Sequence, residues 1–108
     1  MRIGPMRHRV VILHQVQGAD DPLGEPALTW AEFATVWGEV SPLSGRQYME
    51  ARQAQSEVSH RVRIRYLPGV AADMRVQHDG RMFQIEAVLD MGERKREMHL
   101  MCVERTGD

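Results

Sequence analysis

Between Val58 and Tyr66 the side chains alternate without interruption. Val58, Val62, Ile64 and Tyr66 share one face with His60, while Ser59, Arg61, Arg63 and Arg65 share the other. A period of two predicts a β-strand with one face for a core and one row of guanidinium groups. Pro68-Gly69 ends it as a turn dipeptide. The same reading places a first strand over Arg7 to Val16, around Val10, Val11, Ile12 and Leu13. Trp30 to Val40 is ambiguous at its start, which fits a loop or an irregular strand. Thr35 to Val40 is its best strand core, and Ser41-Pro42 closes it.

Further strands are predicted over Met74 to His78 and Arg81 to Leu89, separated by Asp79-Gly80. That pair tolerates the positive φ of a type I′ hairpin turn. Asp90-Met91-Gly92 is another turn, and Arg96 to Arg105 forms a last strand with Met98, Leu100, Cys102 and Glu104 on one face. Met82, Met98 and Met101 read as core, with Trp30 and Trp37 as barrel aromatics.

Ser44 to Gln55 breaks the β pattern. It is rich in helix formers and has no β-branched residue, and Ser44 with Gln47 matches a capping box. Its apolar stripe, Tyr48, Met49, Ala51 and Ala54, is thin. Such a helix is a solvated surface element or one that packs on another chain. Gln17 to Thr29, with two glycines, two prolines and Asp20-Asp21, reads as an exposed loop, and residues 1–5 as a loose arm. The sum is a mainly β fold of about six strands. Short, evenly spaced strands predict a small antiparallel barrel or sandwich, with one short helix or long loop between strands 2 and 3.

Composition narrows the function classes. The 108 residues fit one domain, and a formal net charge of −1 argues against free duplex DNA as the main partner. Lys95 is the sole lysine, so the cations are arginines, which base composition or subunit and phosphate contacts would each explain. With one cysteine, Cys102, no intrachain disulfide forms, and no apolar run approaches membrane-spanning length. These features point to a soluble chain made in a cytoplasm.

Catalytic and metal-binding patterns are lacking. His8, His14, His60, His78 and His99 fall on different elements without ligand-pair spacing. Cys102 lies in an apolar run that suits a buried, inert thiol. Ser44-Gly45-Arg46 lacks the glycines of a nucleophile elbow. No enzyme, metal or cofactor is expected. The arginine row has two readings: ladder pairs with acids such as Glu86 or Glu104, or an interface or channel lining. A third class, a small barrel binding single-stranded nucleic acid, is weakened because Tyr66 lies on the face opposite the arginines.

Several segments together resemble the head–tail joining (head-closure or stopper) proteins of long-tailed bacteriophages. They are Arg7-His8-Arg9-Val10, Trp37 through Arg46, His60 through Gly69, Met74-Arg75-Val76, Gly80 through Ile85, and Cys102-Val103-Glu104. The likeness spans nearly the whole chain in order. It implies a single β-barrel domain over residues 1–108, forming a six- or twelve-fold ring in the virion neck after assembly in the bacterial cytoplasm. The portal and adaptor would lie above it and tail-terminator or tail-tube proteins below, with transient contact to double-stranded DNA and none to membrane. The ring would close the DNA exit channel after packaging and offer a tail attachment surface. A neighbouring-ring adaptor or a tail-completion protein is the alternative.

In this family the segment between strands 2 and 3 acts as the gate. Here that is residues 43–57, and Leu43, Ser44, Gly45, Arg46, Gln47, Tyr48, Met49 and Arg52 are its candidate contacts. Gln47 stands where the family more often has an acidic residue. Arg61, Arg63 and Arg65 become a candidate channel or interface row. Arg2, Ile3, Asp20, Asp21 and Leu23 become candidate docking-arm residues.

Overall fold

Six antiparallel strands close into a barrel in a computed structural model, which describes residues 7–18, 28–90, 92 and 95–105. In chain order they are β1 (His8–Gln17), β2 (Leu28–Pro42), helix α1 (Gly45–Gln53), β3 (His60–Arg65), β4 (Arg75–His78), β5 (Arg81–Asp90) and β6 (Glu97–Arg105). Around the barrel the order is β1-β2-β3-β6-β5-β4, with β4 returning to β1. Closure leaves few strand edges open to other chains. The helix sits between strands 2 and 3, where the sequence placed it.

Alternation fills the interior. Val10 and Ile12 of β1, Val62 and Ile64 of β3, Val76 of β4, Phe83 and Ile85 of β5, and Leu100 and Cys102 of β6 are fully buried. Each large apolar side chain among them stabilises the fold by about 1.5–3 kcal/mol relative to exposure. Val36, Val40, Tyr66 and Leu67 pack against this cluster from its margins. Register shifts at Ile12/Leu13 and Ile85/Ala87 mark bulges. Bulges bend and twist strands, which a barrel this small needs in order to close. At the β4–β5 hairpin, Asp79 and Gly80 both have positive φ, 52° and 75°, as the type I′ expectation required.

The aromatic and methionine expectations need correction. Trp37 pairs with Arg9 on the outer face and is 54% exposed, with the Arg9 guanidinium 5.1 Å from its ring centroid. Trp30 is half-buried beneath Arg75, whose guanidinium lies 4.4 Å above it. Neither tryptophan fills the barrel. The fully buried aromatic is Phe83; both tryptophans lie outward, opposite Arg9 and Gln15, because the extra β2 residue at the bulge, Phe33, switches the outward parity between Trp37 and Trp30. Met98 is core, while Met82 and Met101 are only half-buried, being on the outward parity of their strands. The uncertain start of the second strand is continuous strand from Leu28. Gln17, Leu28 and Thr29, read as loop, are strand residues, and the remainder of that loop, residues 19–27, lies outside the described residues.

Gly38 is buried at the crossing of β1, β2 and β3. A Cβ there would come within 2.9 Å of both the Arg63 carbonyl oxygen and Ile64 Cγ2. Gly38→Ala is therefore expected to cost roughly 1–3 kcal/mol by overpacking, read as a lower urea midpoint with unchanged slope.

Candidate functional site

The segment between β2 and β3 leaves the barrel and returns to it. Its base is fixed by the Leu43 amide donating to the Ser59 carbonyl at 2.9 Å, by the Ser59 amide donating to the Cys102 carbonyl at 2.9 Å, and by burial of Val58. Beyond that base no residue of α1 is buried. The helix is instead completed by its own ends. The Gln47 amide donates to Ser44 Oγ at 3.3 Å, and the Ser44 amide donates to Gln47 Oε1 at 3.2 Å, which is the reciprocal capping box read from the sequence.

At the other end, the Ser56 amide donates to the Ala51 carbonyl and the Gln55 amide to the Arg52 carbonyl. That is a Schellman closure, with Gln55 at φ 60° where glycine is the usual occupant. Arg52 lies 4.6 Å over the Tyr48 ring and donates to the Ser56 carbonyl at 3.1 Å, and Arg46 meets Glu50 at 3.3 Å. Tyr48 (40% exposed) and Met49 (58%) are large hydrophobic side chains left exposed on this helix. Thus Leu43, Ser44, Gly45, Arg46, Gln47, Tyr48, Met49 and Arg52 do gather on one projecting element.

At the foot of this element lies a polar network that sequence reasoning missed. Pro42 pairs with His60, and Ser59 Oγ lies 2.9 Å from His60 Nδ1 while accepting from the Glu104 amide at 3.3 Å. On the other side of the ring, Arg81 Nη2 donates to His60 Nε2 at 3.2 Å and forms a two-pronged pair with Glu104 at 2.8 and 2.9 Å. The signal available in the sequence was only that His60 and Glu104 sit on inward parities of their strands; Arg81 arrives from β5. Burial, opposed by Glu104 and aided by Arg81, holds the His60 pKa below its ordinary value. The Arg81 hydrogen bonds hold Glu104 below the usual carboxylate range.

The arginine row faces outward as the alternation requires. Arg63 is paired on both sides, 3.6 Å from Glu39 on β2 and 3.7 Å from Glu97 on β6. Ladder pairing is therefore the right reading for Arg63, but with Glu39 and Glu97. Glu104 is committed to Arg81, and Glu86 is an exposed residue at the β5 bulge. Arg61 and Arg65 have no ion-pair partner among the described residues, and the Arg61 Nε is buried without a hydrogen bond. Of the docking-arm candidates, Arg2, Ile3, Asp20, Asp21 and Leu23 all lie outside the described residues.

Cys102 is fully buried, its Sγ donates to the Leu100 carbonyl at 3.4 Å, and burial pushes its thiol pKa up to about 12. A thiol so placed is not a nucleophile. Among the described residues no three His, Cys, Asp or Glu side chains gather as metal ligands, and no helix is long and apolar enough to cross a membrane.

The described geometry is thus a closed barrel with a self-capped helix between β2 and β3 that buries none of its residues. The chain belongs to the phage head completion protein family, whose family model matches residues 1–105, and it is accordingly a structural component of the virion in the head–tail region. Its fold is similar to the solution structure of protein SF1141 from Shigella flexneri 2a, at TM-score 0.80 and 26% identity over 100% of both chains. It is also similar to a chain in the virion of a native gene transfer agent particle, at TM-score 0.62 and 20% identity over 94% of this chain and 96% of that one. No curated protein matches it.

The His60 network makes stability depend on pH with a defined sign. A lowered histidine pKa contributes stability that is complete above the unfolded value of about 6.5 and is lost as pH falls. Glu104, also lowered, adds a loss at more acidic pH still. The urea midpoint is expected to be level above about pH 7 and to decline below about pH 6.5. His60→Gln should flatten the upper part of that decline and leave the carboxylate part; an unchanged profile would exclude His60.

Proposed function

We propose that this chain forms a ring in the phage neck, below the portal and its adaptor. There it closes the DNA exit channel after packaging and provides the surface to which the tail attaches. In this reading residues 43–57 are the gate, with Leu43, Ser44, Gly45, Arg46, Gln47, Tyr48, Met49 and Arg52 making the contacts between subunits or across the channel. The carrying observation is that α1 is complete in its own hydrogen bonds yet buries none of its residues.

Most helical stability in proteins comes from packing an amphipathic face, so a nine-residue helix held out in solvent is marginal by itself. Burial against a neighbour would stabilise it, with Tyr48 and Met49 as the apolar payload, at about 1.5–3 kcal/mol for a side chain such as Met49. The near-neutral chain fits a conduit, because a strongly basic channel would retain the genome through its phosphates. Membership of a head completion family supports the same location.

Negative-stain imaging of the protein alone and with its cognate portal–adaptor complex tests the reading. A ring capping the lower end of the portal is the expected result. A monodisperse monomer that ignores the portal would end the proposal.

The gate role is tested separately by Arg46→Glu combined with Arg52→Glu. Because α1 buries nothing, barrel stability should stay within roughly 0.5 kcal/mol of the parent. Channel closure or tail joining should fail, seen as leaked DNA or tailless heads. Virions of normal infectivity would take these arginines out of the mechanism.

A further inference from the structure

Two strand edges of the barrel run on past their neighbours. β2 pairs with β3 only over residues 38–42, so over residues 28–37 its second edge meets no strand among the described residues. β5 pairs with β4 over residues 81–84, and two further bonds follow at Ile85, whose amide donates to the Met74 carbonyl and whose carbonyl accepts from the Asp73 amide. Over residues 86–90 only β6 lies beside it. Among the described residues no backbone hydrogen bond from a turn or loop reaches either stretch.

Exposed apolar side chains border the same edges. Among the described residues five large ones are exposed: Tyr48 and Met49 on α1, Leu28 and Trp37 on the β2 stretch, and Leu89 on the β5 stretch. Three of the five thus flank unpaired backbone. Neither stretch holds a proline or a lysine, with which open edges are commonly blunted. The charges beside them are opposite in sign. Arg65, the last residue of β3, is exposed where β2 loses its neighbour, and Arg9 lies over Trp37. Glu86, at the β5 bulge, is exposed as well. Arg9, Arg65 and Glu86 have no ion-pair partner among the described residues.

We infer that residues 86–90 of one copy add as a strand along residues 28–37 of the next copy, making the subunit contact of the ring. The inference rests on the ring reading above and specifies its interface. The β5 stretch has an ordinary strand length, and a strand added to an open edge gains main-chain hydrogen bonds together with side-chain contacts. The partner is a second copy because this chain carries both complementary halves, an apolar edge beside free arginines and an apolar edge beside a free glutamate. The β2 stretch centred antiparallel on its own copy would instead bring Glu32 close to the other Glu32, a like-charge opposition, and would close as a dimer. Because the β2 and β5 edges differ, their contact is head-to-tail, and its repetition closes into a ring when the rotation allows. Glu86 meeting Arg65 fixes the register of the added strand.

Amide hydrogen exchange of the parent protein tests this, compared between the free subunit and the ring, with the portal–adaptor complex added if it is needed for assembly. Amides in both stretches, residues 28–37 and 86–90, should slow by about tenfold or more in the ring, because each edge gains acceptors. Variants supply a second readout, the protein concentration at which rings appear by native mass spectrometry. Trp37→Ser with Leu89→Ser should raise that concentration by about tenfold or more. Arg65→Glu and Glu86→Arg should each raise it severalfold. The two together in one chain should bring it back toward the parent, since every contact then regains opposite signs.

Rings in which neither stretch slows, or only one of them, would overturn this contact while leaving the ring intact. Variants that assemble like the parent, or a double reversal that does not recover, would do the same. The exchange comparison uses the parent chain, so it decides the matter even where a variant misfolds. A parent protein that stays monomeric or stops at a dimer, alone and with the portal–adaptor complex, would instead remove the ring reading, and this contact with it.

Discussion

The register of β3 is the constraint on which the rest of the structure depends. This six-residue strand joins β2 on one side and β6 on the other, so it holds the two halves of the chain together as a closed sheet. The opposite seam, between β1 and β4, involves only Val11, Ile12 and Leu13. A slip of one residue in β3 would turn Arg61, Arg63 and Arg65 into the core and expel Val62 and Ile64. Burying unpaired guanidinium groups is prohibitive, so the strand has one acceptable register. Gly38 enforces the same solution from β2, because only a missing side chain lets the strands approach at Ile64. The outward arginine row is thus the polar half of the alternation that seals the barrel.

Two separate sources of stability meet at the foot of α1. The barrel depends on pairings between residues far apart in sequence, whereas α1 depends on bonds within four or five residues of one another. The join between them is tied at several points. His60, Ser59, Arg81 and Glu104 tie β3, β5 and β6 together where the excursion leaves, and Val58 buries its returning end. The helix and the core are therefore stabilised by separate sets of contacts.

The parts of the fold that were legible in the sequence are those decided by local chemistry. The alternation in β3 and β6, the Asp79-Gly80 turn and the Ser44/Gln47 capping box each lie within a few residues, and each appears in the structure as read. What failed required knowing which strands are neighbours. Trp30 and Trp37 look like core by composition, but β2 presents them opposite Gln15 and Arg9 on the outer face, where arginines cover the rings. Arg63 needed Glu39 and Glu97, which ladder order alone identifies. The His60 network was hidden for the same reason: its arginine comes from a strand 21 residues away in sequence. Of the candidate site, the projecting helix was legible because its sparse apolar stripe is a local property. The arm residues lie outside the described part of the chain.

The outer face of β3 shows how little of its surface charge the fold uses for pairing. Arg63, in the middle of the row, is held between Glu39 on β2 and Glu97 on β6, whereas Arg61 and Arg65 have no ion-pair partner among the described residues. Ion pairs on a solvated sheet face contribute little, roughly 0–1 kcal/mol each. The alternation itself matters more, because each guanidinium held outward excludes the slipped register that would bury it. The row therefore acts on stability through the state it forbids, and its pairing is secondary.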